Sequence, residues 1–94
     1  MNKTFMVKVV FSAHKRKTVP VAGYRPHIVM DDDKHREYLG VEFYDIEVDG
    51  FDKDGYAMCL CIYENVDYQK IQTGKTFAVM EGGNKGGKGT VLNI

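Results

Sequence analysis

The chain has 94 residues, 44% hydrophobic and 28% charged, which suits one folded domain with a modest core and argues against intrinsic disorder. Thirteen basic residues balance thirteen acidic ones, so the chain lacks the positive excess that extensive phosphate neutralisation requires. No stretch approaches the ~18 apolar residues of a membrane span, and Met1 to Met6 lacks the apolar core of a signal peptide. A cytoplasmic location without membrane contact is therefore expected.

Thr4-Phe-Met-Val-Lys-Val-Val-Phe11 is rich in β-branched and aromatic residues and reads as a strand. Ser12 to Lys17 is a polar, basic connection. Thr18-Val-Pro-Val21 reads as a short edge strand, because Pro20 has no N–H to give a ladder. Gly23 precedes Tyr24-Arg-Pro-His-Ile-Val-Met30, whose apolar half is a further strand. Asp31 to Arg36 is a charged loop. Glu37-Tyr-Leu-Gly-Val-Glu-Phe-Tyr44 alternates as a strand does, with Gly40 marking a bulge or a close backbone approach.

Asp49-Gly50 and Asp54-Gly55 are turn signals. Tyr56-Ala-Met-Cys-Leu-Cys-Ile-Tyr63, the longest apolar run, is expected to be the most buried strand. Tyr68 to Gly74 reads as a single helical turn or an irregular crossing. No segment sustains a helical period over eleven residues. The fold class is therefore all-β: a small closed antiparallel barrel of about six strands, or failing closure a sandwich, formed by residues 1–94 as one domain.

Cys59 and Cys61 are two apart and so share one face of a strand. With no second cysteine pair and with His14, His27 and His35 scattered, they are expected to be reduced core thiols rather than zinc ligands. The one dense polar cluster, Asp31-Asp32-Asp33 with His35 and Glu37, has ligand types suited to a hard cation. Its spacing is not that of a calcium loop, and it reads as a solvated charge run. No catalytic constellation, cofactor or metal is expected.

In the tail, five of the eight residues from Gly82 to Gly89 are glycine, between the alternating runs Thr76 to Met80 and Thr90 to Ile94. Gly82-Gly-Asn-Lys-Gly-Gly-Lys88 satisfies the phosphate-loop spacing G-x-x-x-x-G-K. That loop needs Ser or Thr after the lysine, where Gly89 stands, and a helix whose N-terminus meets the phosphate. The five residues that follow, with β-branched Val91 and Ile94 among them, are too few to supply it. A closing hairpin is expected instead, with Lys85 and Lys88 as exposed loop charges and no bound GTP or other nucleotide.

Two separated motifs resemble the C-terminal, third domain of elongation factor Tu. Gly23-Tyr-Arg-Pro-His-Ile-Val-Met30 is similar to that family's G-Y-R-P-Q-F-Y-F, and Gly74-Lys-Thr-Phe-Ala-Val-Met-Glu-Gly-Gly83 to its G-L-R-F-A-I-R-E-G-G. Lys88-Gly-Thr-Val follows as the counterpart of the closing A-G-V-V strand. The resemblance spans nearly the whole chain, is poorest from Asp31 to Lys53, and implies a six-stranded antiparallel barrel. The family's GTPase domain and second barrel have no counterpart here, so GTP hydrolysis is not implied.

In that family the barrel helps hold the T-stem of aminoacyl-tRNA. His27 replaces the family glutamine, Asp31 and Met80 replace two arginines, and Leu39 stands for a threonine, whereas Glu81 and Gly82 match. Losing two arginines and gaining an aspartate removes several attractions for phosphate. The first expectation is thus a non-catalytic module with a protein partner, using aromatics of the Tyr24, Tyr44, Tyr63 and Tyr68 segments as anchors. The second is an RNA-associated module with weak tRNA binding, its patch formed by Arg25, His27, Lys85, Lys88 and the His14 to Lys17 connection. The candidate contact residues are Tyr24, Arg25, His27, Glu81, Gly82, Lys85 and Lys88.

Overall fold

A computed structural model describes residues 3–13 and 16–94, so His14 and Lys15 of the basic connection lie outside the described residues. Six strands follow in chain order: β1 Thr4–Phe11, β2 His27–Met30, β3 Leu39–Glu47, β4 Gly55–Cys61, β5 Thr76–Glu81 and β6 Asn84–Asn93. All pair antiparallel and close into a barrel in the order β1-β4-β3-β2-β5-β6. Closure gives every strand a neighbour on both sides. It also explains why Thr18–Val21, expected as an edge strand, is irregular: both edges of β1 are taken, by β4 and β6.

Alternation sends Phe5, Val7, Val9 and Phe11 of β1 inward, where they meet Ile28 and Met30, Val41 and Phe43, and Phe77 and Val79. The inward β4 positions are Ala57, Cys59 and Cys61, all in the core, and both cysteines are free thiols. Burial pushes the thiol pKa of both upward, that of Cys61 to about 11.

The longest apolar run is not the most buried strand. β4 is covered on its inner face only, whereas Phe77 to Met80 of β5 are buried on both. A second, outer cluster of Val29, Ala78 and Met80 accounts for this difference.

β3 begins later than its alternation suggests and runs three residues further, through a bulge. Tyr44 pairs with Met58 and Glu47 with Tyr56, so Asp45 and Ile46 face a single β4 residue. Asp45 takes φ 49° there, a left-handed conformation that aspartate tolerates better than most residues. The extra residue flips the parity of the strand. Without it Asp45 would point into the core; with it, Ile46 and Val48 pack there instead. Gly40 lies in regular pairing with His27, and its surface is occupied by the Tyr63 ring, so it marks a close approach rather than a bulge.

The glycine-rich tail is largely strand. Only Gly82 and Gly83 form the turn, with Glu81 opposite Asn84. Gly82 has φ 61° while Gly83 does not lie in the left-handed region, the pattern of a type II′ hairpin turn. Lys85 and Lys88 therefore stand on β6 rather than in a loop. Gly87 and Gly89 are inward positions paired with Phe11 and Val9 on one side, and with Val79 and Phe77 on the other. A Cβ on Gly89 would lie 2.5 Å from the Phe77 ring and 2.8 Å from the Lys8 carbonyl oxygen. These glycines vacate space for large rings in a narrow barrel.

The stretch from Tyr68 to Gly74 is the irregular crossing. The Tyr68 hydroxyl donates to the Gly40 carbonyl and accepts from the Tyr63 N–H. Ile71 is fully buried, and Lys3 donates to the carbonyls of Tyr68 and Ile71. No helix of the described residues is long and apolar enough to cross a membrane.

Candidate functional site

The β1–β2 connection, the β3–β4 turn and the β5–β6 hairpin share one end of the barrel, where several of the candidate residues meet. Glu81 is the last residue of β5, and its carboxylate accepts from Arg16 Nη1 at 3.2 Å. The same guanidinium lies over the Tyr24 ring, 5.0 Å from its centroid. Arg16 is thus held between a carboxylate and an aromatic face, two favourable settings for a guanidinium. Tyr24 in turn packs against Phe11 and Phe43, with ring centroids 6.0 and 5.8 Å away. Gly86, the unpaired residue of a bulge opposite Val79 and Met80, leaves room for the Glu81 carboxylate; a Cβ there would lie 2.9 Å from Oε1.

The Tyr24 hydroxyl is buried without a hydrogen-bond partner among the described residues. Burial first, and the negative charge of Glu81 next, raise its pKa above the ordinary tyrosine value. The remaining candidates surround this cluster without joining it. Arg25 donates through Nε to Glu42 at 2.8 Å on the barrel exterior. His27 packs against Tyr38, whose hydroxyl donates to the Gly82 carbonyl. Lys85 and Lys88 are exposed on β6, and Lys88 shares a shallow depression of about 340 Å³ with Lys8, Asp31, Asp54 and Thr76.

Tyr24, Glu81 and Gly82 therefore come together, with His27 tied to Gly82 through Tyr38. Arg25, Lys85 and Lys88 stand apart. The organising residues Tyr38 and Glu42 are not singled out by the sequence, and Arg16 is marked only as part of the basic His14 to Lys17 connection, because Arg16 and Glu81 are 65 positions apart and no local pattern couples them. An anion arriving at this rim must compete with Glu81 for Arg16 and with Glu42 for Arg25. Such exposed or half-exposed pairs are individually weak, yet each lowers the attraction left for a phosphate.

The opposite end holds the acidic run. The Thr76 hydroxyl donates to Asp31, Lys75 binds Asp32, and Lys70 binds Asp33 at 3.0 Å and Glu37 at 3.7 Å. No group of three or more metal-ligating side chains is assembled among the described residues. The run instead fastens the β2–β3 loop to the β4–β5 crossing. The Asp33 carboxylate also accepts from the N–H groups of Glu37 and His35. The Glu37 hydrogen bond, followed by that from Lys70, holds its pKa down to about 2, against an ordinary 3.8. What Asp33 contributes to this loop is complete above the ordinary value and lost as pH falls through about 2. The protection of the His35 and Glu37 amides against exchange, relative to their intrinsic rates at each pH, is expected to fall in that window, and a loss already complete at pH 4 would contradict it.

A different surface carries exposed apolar side chains. Thr4, Met6 and Lys8 of β1 pair with Leu60, Met58 and Tyr56 of β4, and Met58 pairs onward with Tyr44 of β3. Met6, Met58 and Tyr44 thus form one row across three strands on the barrel exterior. Met6 is 40% exposed and the neighbouring Tyr56 51%. Of the four expected aromatic anchors, Tyr68 is buried in its hydrogen-bond hub and Tyr24 is half-buried. Tyr63 is exposed, and Tyr44 lies in this row.

Compared with protein-family models and with curated proteins, the chain finds no match.

Proposed function

We propose that the protein is a non-catalytic binding module, built on a barrel of the elongation factor Tu third-domain kind, that engages another protein. The observation that carries this reading is the exterior row of Met6, Met58 and Tyr44 with Tyr56 beside it. Solvent-facing methionine and tyrosine side chains side by side are the composition of a protein-contact surface rather than of a phosphate-contact surface. The closed six-stranded antiparallel barrel is compatible with the family resemblance. The internal pairing of Arg16 with Glu81 and Arg25 with Glu42 weighs against the alternative, a tRNA-binding accessory domain.

The test is affinity capture with the full chain, comparing it with a Met6→Glu/Tyr56→Glu variant that retains the β-sheet circular dichroism. A partner retained by the parent and lost from the variant is expected. Equal capture by both would remove the assignment to this face. Retention of tRNA that falls steeply with salt, with no protein partner, would transfer the reading to the RNA alternative.

A further inference from the structure

The chain as a whole is neutral, but the β3–β4 hairpin is not. From Asp45 to Asp54 the carboxylates of Asp45, Glu47, Asp49, Asp52 and Asp54 face a single lysine, Lys53. Lys8 engages Asp54 at 3.4 Å. Asp45 and Glu47 are exposed and have no ion-pair partner among the described residues.

These two carboxylates border the apolar row. The bulge that turns Asp45 out of the core also places it beside β4, at a pocket of about 390 Å³ lined by Met6, Asp45, Ile46, Glu47, Tyr56 and Met58. Thioethers and an aromatic ring form its apolar part, and carboxylates its rim. Methionines adapt to an irregular aliphatic chain, a tyrosine face attracts a cation, and carboxylates hold an ammonium or guanidinium through charge-assisted hydrogen bonds. A long aliphatic stem ending in a positive charge matches all of these at once. A phosphate or an acidic side chain would be repelled by the same rim.

We propose that this pocket receives the lysine or arginine side chains of a basic, amphipathic segment of a partner protein. The inference rests on the protein-binding reading above and adds the chemistry of the partner.

A suitable probe is a decapeptide of alternating lysine and leucine, with a glutamate-for-lysine counterpart as control, titrated into the ¹⁵N-labelled full chain. Saturable shifts are expected at Met6, Asp45 to Glu47 and Tyr56 to Met58, with affinity that weakens as salt is added. An Asp45→Asn/Glu47→Gln variant is expected to bind about fivefold more weakly, by loss of two partly exposed charge contacts. Asparagine accepts the left-handed backbone at position 45, so the bulge is retained and the loss is read as charge.

Equal binding of the glutamate peptide, shifts centred on Asp31 to Asp33 instead, or no shift at all would overturn the proposal. So would concentration-dependent shifts of the same residues without peptide, since a second copy would then occupy the face. If any of these occurs while capture still depends on Met6 and Tyr56, only the basic-segment inference falls. Loss of the capture result removes the wider reading.

Discussion

Gly89→Ala is expected to destabilise the barrel by about 1–3 kcal/mol, and Gly89→Val by more, through overpacking. The added Cβ meets a fully buried ring on one side and a ladder carbonyl on the other, at 2.5 and 2.8 Å. The Phe77 ring is enclosed by other core side chains, and the Lys8 carbonyl is fixed by strand pairing, so neither yields cheaply. Urea denaturation measures the loss as a lower midpoint at unchanged slope. The origin of the loss is separable. Phe77→Leu alone leaves a void and is destabilising, but combined with Gly89→Ala it vacates the space that the new methyl needs. The double variant is expected to be more stable than the sum of the single effects, and strict additivity would contradict a shared space.

Tyr68→Phe is expected to cost about 1–3 kcal/mol, although it removes one oxygen atom and leaves the ring in place. The hydroxyl is buried, donates to Gly40 O and accepts from Tyr63 N–H, so its loss leaves backbone groups of two strand ends without this partner. Tyr63→Phe is the control. Its ring lies over Gly40, but the residue is 49% exposed, and an effect within about 0.5 kcal/mol is expected. Comparable losses in both variants would remove the special role assigned to Tyr68. The same hydroxyl gives a pH dependence. Burial raises its pKa above the ordinary 10.0, as it does for Tyr24, so the stability they contribute is complete below that value. It is lost as pH rises past it, because the unfolded chain then releases protons that the folded barrel retains. Thermal melts across this alkaline range should fall more steeply for the parent than for Tyr68→Phe.

Much of the barrel is legible from strand periodicity. Thr4 to Phe11 alternates as its structure does, Thr76 to Met80 is a strand as read although it is buried on both faces, and the absence of helical period is enough to exclude other fold classes. The limits have physical causes. Thr18 to Val21 has strand composition, but pairing requires a free edge, and closure leaves β1 with none. Glycine at positions 82 to 89 reads as a loop because its usual significance is backbone freedom. At Gly87 and Gly89 it is the absence of volume that matters, and that is visible only once Phe11 and Phe77 are known to be neighbours. The parity change in β3 could have been read from the sequence: Val41 and Phe43 require Asp45 to point inward unless a residue is inserted before Ile46 and Val48.

The candidate site was less legible than the fold. Tyr24, Glu81 and Gly82 were identifiable from local motifs and do meet at one rim. Their charge balance depends on Arg16 and Glu42, which reach them through the tertiary fold. Exposed Met6 and Tyr56 look like ordinary members of apolar strands, and only the paired register reveals that they form a continuous outward row with Met58.

The pairing of β1 with β6 has a consequence for biosynthesis. Of the six strands β1 is made before the others, yet it finds one of its two neighbours only when residues 84–93 have been made. Until then β1 and β5 each present an unpaired row of N–H and C=O groups, a template to which another nascent chain can add. The glycines of β6 disfavour persistent extended structure in that segment before docking, so closure depends on the sheet that receives it. The vulnerable interval therefore ends with the arrival of the strand that has the least intrinsic tendency to form, which makes the docking of β6 the step that controls assembly.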